Sequence, residues 1–141
     1  MPEPRELTTA RRRLAQAEAD YASERGLAQL VEGIALLDDV IAAGDSEHVR
    51  TARNLAATYA SQIFGRIERA VGSDAALPEP DLERFFRVIL AFDSVAADLP
   101  PSASALKIAV VRRLIDRYYE GYPPEAKRLA LEQLEQLARG D

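Results

Sequence analysis

The chain has 141 residues, a formal charge of −5 and no cysteine. Its length suits one domain with a core of its own. The missing cysteine excludes disulfide frameworks, Cys-ligated zinc, iron–sulfur clusters and thiol nucleophiles together, and the acidic balance argues against a general nucleic-acid binder.

Alanine occurs 25 times, and Leu, Glu and Arg are abundant. These are strong helix formers, and no β-branched cluster alternates with polar residues as a strand requires. Prolines stand in pairs at 2 and 4, 78 and 80, 100 and 101, and 123 and 124. Proline suits a first helical turn and breaks an interior, so the pairs mark starts. Gly26, Gly44, Gly72, Gly121 and Gly140 read as helix ends, while Gly33 and Gly65 fall inside helical patterns. Six helices follow. The fold class is an all-α antiparallel bundle in one helical domain, and short loops favour antiparallel neighbours.

The first predicted helix, 3–23, carries Leu7, Ala10, Leu14, Ala17 and Tyr21 at 3-4-3-4 spacing, a narrow coiled-coil-like seam. Because alanine supplies two of its members, this helix is expected to be loosely docked and the least firmly held. The second, 27–43, presents Leu27, Leu30, Val31, Ile34, Leu37 and Ile41 on one face, widened by Leu36 and Val40. Gly44 and Asp45 then read as stop and N-cap. The third, 46–71, places Val49, Ala52, Ala56, Tyr59, Ile63, Ile67 and Ala70 at helical spacing.

The fourth, 81–98, holds Leu82, Phe85, Phe86, Ile89, Phe92 and Val95, including three of the four phenylalanines. It is expected to anchor the core against the second, third and fifth helices. The fifth, 102–120, starts at a Ser102 N-cap. Its apolar residues, Leu106, Ile108, Val110, Val111, Leu114, Ile115 and Tyr118, cover most of its circumference, so heavy burial is expected. The sixth, 124–139, has a stripe of Ala130, Leu134, Leu137 and Ala138, with Glu135 able to pair with Arg139.

A gapless shift of 55 residues superposes the second helix on the fourth and the third on the fifth. It matches Leu27 with Leu82, Leu30 with Phe85, Ile34 with Ile89, Leu37 with Phe92 and Ile63 with Tyr118. Amphipathic periodicity alone produces part of such a match, so a duplicated hairpin and a shared period both account for it.

Few residues carry chemistry. His48, the single histidine, has no partner at the spacing of a metal ligand and reads as an exposed first-turn side chain. Asp38 and Asp93 read as solvated, with Arg53 and Arg112 as their partners if they turn inward. No Gly-rich phosphate loop, Gly-x-Ser-x-Gly or His-Glu-x-x-His occurs. No cofactor is called for.

Arg11, Arg12 and Arg13 form one basic cluster. Arg112, Arg113 and Arg117 form another beside Tyr118, Tyr119 and Tyr122. Tyr118 continues the apolar stripe and reads as core. Arg112, Arg113, Arg117, Tyr119 and Tyr122 are the candidate partner-binding residues, since Tyr and Arg are enriched in interface hot spots.

The expectation is therefore a non-enzymatic protein–protein interaction module: an adaptor, a regulator or a small chaperone-like subunit. Its partner is another protein, a second copy of the chain included. The alternative is a small apolar ligand- or lipid-binding bundle with a pocket lined by Tyr59, Phe85 and Phe92. Nucleic-acid contact through the arginine clusters ranks third, and an enzyme last. The charged start of the chain shows no secretory signal, and no apolar run reaches the length of a membrane span, so the expected location is the cytoplasm.

Overall fold

The computed structural model describes residues 3–73, 77–100 and 102–138. It is all-helical. The helices are α1 (Arg5–Ala19), α2 (Glu24–Ala43), α3 (Ser46–Ser73), α4 (Glu79–Ala91), α5 (Ala103–Tyr118) and α6 (Pro124–Ala138). A 3-10 helix, Asp93–Asp98, follows α4.

Local sequence explains most boundaries. The Ser23 hydroxyl accepts a hydrogen bond from Gly26 N–H at 2.9 Å and caps α2. Gly44 ends that helix at φ 81°, a left-handed conformation that costs glycine little. Asp45 Oδ1 then accepts from the backbone N–H groups of Glu47 and His48, each at 3.2 Å, and opens α3 as expected. Pro78 and Pro124 begin α4 and α6.

Other boundaries differ from the sequence reading. Gly26 lies in the first turn of α2 and Gly72 inside α3. Gly26 serves a close approach instead: a Cβ there would stand 1.8 Å from the Asp20 carbonyl oxygen. Ser102 holds the N-cap position of α5 with helical dihedrals and forms no side-chain cap. The fourth helix does not continue to residue 98. It ends at Ala91, and non-helical dihedrals at Val95 break the 3-10 turn that follows. Arg139 and Gly140 lie outside the described residues.

The helices form a layered stack. The pairs α1–α2, α2–α3, α4–α5 and α5–α6 pack side by side, α1 also touches α3, α2 touches α4 and α3 touches α5, and α3 meets the fourth segment chiefly through the 3-10 helix rather than through α4. Phe85, Ile89 and Phe92 of the fourth predicted helix are buried, as expected, with Phe86 and Leu114 half-buried at the edge. Phe92 meets Phe64 edge-to-face at 5.2 Å, and Phe85 stacks on Tyr21 at 6.0 Å. The 55-residue register matches burial between α2 and the α4 segment: Leu27 with Leu82, Leu30 with Phe85, Ile34 with Ile89, Leu37 with Phe92 and Val40 with Val95 are all buried.

The largest departure concerns α1. Leu7, Ala10, Leu14 and Ala17 are 0–1% exposed, and α1–α2 is the most extensive helix pair. Small residues hold the helix firmly because they let the backbones approach. A Cβ on Gly33 would meet Leu14 Cδ2 and Cγ at 3.0 Å, so the glycine inside α2 makes room for Leu14. Polar bonds rim the seam. Arg13 donates to Gln29 Oε1 at 2.8 Å and pairs with Glu32 at 3.3 Å.

The peripheral element is α6, none of whose described side chains is buried. Within its expected stripe, Leu137 is 71% exposed. Val31, expected on the inner face of α2, is also exposed.

Candidate interaction surface

The stack ends openly on its C-terminal side. The first three helices each meet the helix two places ahead, and α6 would complete the pattern by packing on α4. It packs chiefly on α5 instead. A groove is left between the three helices, lined by Phe86 of α4, Ser104, Lys107, Ile108 and Val111 of α5, and Leu134 and Leu137 of α6. Val111 also borders a second depression, which continues along α5 past Leu114 and Ile115 to Tyr118, Tyr119 and Glu79. The two form one apolar strip.

Tyrosines close the far end. Tyr118 is 61% exposed, which corrects its expected place in the core. At the equivalent position in the 55-residue register, Ile63 is buried. The difference is positional: Ile63 lies mid-helix in the middle of the stack, whereas Tyr118 ends α5 where no further layer covers it. Its ring contacts Tyr119 at 4.9 Å and Tyr122 at 5.9 Å, and Tyr119 meets Tyr122 at 5.4 Å. Gly121 makes the turn between these rings at φ 85°. Beside them Lys127 pairs with Asp116 at 2.8 Å and ties α6 to α5.

The arginines among the candidate residues divide by role. Arg113 donates to the carbonyl of Val71, in the last turn of α3, and Arg117 donates to the carbonyl of Leu77 at 2.7 Å. Carbonyls at a helix C-terminus lack intrahelical partners, and a cation there also opposes the helix dipole. Since α3 has no basic residue in its own last turn, Arg113 supplies the charge from another helix. Arg66 does the same for α1, donating to the Glu18 carbonyl at 3.1 Å while its guanidinium lies 5.8 Å from the Tyr21 ring centre.

Arg113 and Arg117 thus hold α5 against the α3–α4 connection. Arg112 is exposed and lies 3.9 Å from Glu135. Of the five candidates, Tyr119 and Tyr122 form the ring cluster, and Arg112 faces α6. Sequence reasoning missed the groove residues Phe86, Ile108, Val111, Leu134 and Leu137 as surface features because their periodicity marks them as core. The usable signal was the excess of apolar positions around α5, more than its neighbours bury.

The first arginine cluster also disperses. Arg11 pairs with Glu3 at 2.7 Å, and Arg13 with Glu32. His48 is half-buried rather than exposed, with Nε2 3.9 Å from Asp45. Among the described residues no three His, Asp or Glu side chains converge as a metal site, and no helix is long and apolar enough to cross a membrane. The expected apolar pocket has its lining engaged in packing, with Phe85 against Tyr21 and Phe92 against Phe64.

Few ionisable groups are displaced. Hydrogen bonds from Arg87 and then Arg84 hold the Glu24 carboxyl below its usual range, and Arg11 does the same for Glu3. Glu24 joins α2 to α4, whereas Glu3 pairs locally with the first turns of α1; both lie apart from the groove. No family model, curated protein or solved structure matches the chain.

Proposed function

We propose that this protein is a non-catalytic protein-binding module whose binding face is the open side of the stack, formed by α4, α5 and α6. The distribution of exposed large apolar side chains carries this reading. Leu90, Tyr118, Tyr122, Leu129 and Leu137 belong to the C-terminal helices and their turn, and among the described residues only Val31 stands outside that region. Scattered exposed apolar residues are ordinary, but their concentration in one part of the chain, with Leu137 lining the groove and Tyr118 the adjoining depression, supports an interaction surface there. Tyr119 and Tyr122 extend the face with residue types that anchor interfaces, and Arg112 lies on its rim. Arg113 and Arg117 serve it indirectly, by fixing the position of α5.

A photo-crosslinking amino acid at Ile108 tests the reading in native cells, with Thr58, exposed on α3, as control. Covalent protein adducts from Ile108 and none from Thr58 are expected. Absence of adducts at Ile108, or the same adducts at both positions, would overturn the proposal.

A further inference from the structure

We infer that the partner on this face is a second copy of the chain, joined about a two-fold axis with the two α5 helices antiparallel. The inference rests on the α4–α6 face being a binding surface, and the arrangement of charge along it identifies the occupant. Lys107 lines the strip at one end, beside Ser104 and Ile108. Glu79 lines the other, beside Tyr118 and Tyr119. Neither forms an ion pair among the described residues. Between them lie Phe86, Ile108, Val111 and Ile115, without charge. The strip is basic at one end, apolar in the middle and acidic at the other.

A two-fold contact pairs a surface with itself in reverse. Reversal about an axis perpendicular to the Lys107–Glu79 line lays Lys107 of each copy over Glu79 of the other, so two ion pairs form and the apolar middles meet. A foreign helix would need the same charges in the opposite order, whereas a second copy has them by symmetry. From Lys107 to Tyr118 the strip runs about 16 Å at 1.5 Å per residue, and it is two helices, roughly 20 Å, wide. That is below the ~800 Å² per partner of a standard stable interface. A face of that size gives a weak, concentration-dependent dimer.

Sedimentation equilibrium of the full chain from about 5 to about 500 µM reads this directly. Wild type is expected to pass from monomer to dimer. Lys107→Glu and Glu79→Lys, each placing like charges opposite one another, should weaken self-association at least tenfold while their melting curves stay cooperative. An equimolar mixture of the two should dimerise again, because the mixed pair restores opposite charges at both ends. Wild type remaining monomeric throughout, or a mixture no more associated than its components, overturns the second copy as occupant. If wild type stays monomeric while Ile108 still crosslinks to a different protein, the binding face stands and only its occupant is wrong. If Ile108 also yields no adduct, the binding face falls as well.

Discussion

Leu14 and Gly33 give the sharpest test of how α1 is held. Leu14 is fully buried, and its Cγ and Cδ2 occupy the space that a Cβ on Gly33 would enter. Leu14→Ala removes three carbons from that site, about 2.4 kcal/mol of transfer free energy at ~0.8 kcal/mol per methylene. Incomplete collapse of the vacated space adds on the order of 1–2 kcal/mol, for a total near the middle of the measured Leu→Ala range.

Gly33→Ala alone sets a helix-propensity gain of about 1 kcal/mol against overpacking of about 1–3 kcal/mol, so it is expected to destabilise. In the Leu14→Ala background the new methyl enters free space and the propensity gain remains. The double variant should therefore be more stable than the two single effects predict, by roughly 1–2 kcal/mol of coupling. Urea unfolding with unchanged slope measures all three variants. A Leu14→Ala loss below about 1 kcal/mol, or strict additivity of the pair, would refute the account of the α1–α2 contact.

The remaining predictions concern other supports of the fold. Gly26→Ala drives a Cβ into the Asp20 carbonyl and should cost about 3 kcal/mol or more, visible as a large drop in melting temperature. Arg113→Ala should cost about 1 kcal/mol, since a charge-assisted bond at a half-exposed guanidinium is worth less than a buried one; denaturant titration against Arg112→Ala, expected near neutral, checks it. Glu24 has a folded-state pKa below its ordinary value, so its stabilising contribution is complete above the unfolded pKa and is lost as pH falls through the folded one. The stability difference between wild type and Glu24→Gln should accordingly be constant near neutral pH and shrink below about pH 4.5. Amide hydrogen exchange should be fastest in α6 and far slower in α1, and comparable protection in the two helices would contradict the burial pattern.

The number of helices, their order and their apolar stripes follow from the sequence because they depend on local causes. Proline pairs open helices, Gly44 and Gly121 end segments where positive φ is needed, and Leu27, Leu30, Ile34 and Leu37 recur at the spacing that buries one face. Tertiary structure decided what those stripes meet. The Ala-rich seam of α1 looked weak because periodicity counts apolar area and not distance of approach; Gly33 makes room for Leu14, and α1–α2 is the most extensive helix pair. Tyr118 and Leu137 carry the same periodic signal as core residues, yet they face outward because the stack stops before another layer covers them. The arginines show the same division. Their number is plain in the sequence, but whether Arg113 faces a partner or the end of α3 depends on which carbonyl the fold brings within 3 Å of it, and one-dimensional spacing does not encode that distance.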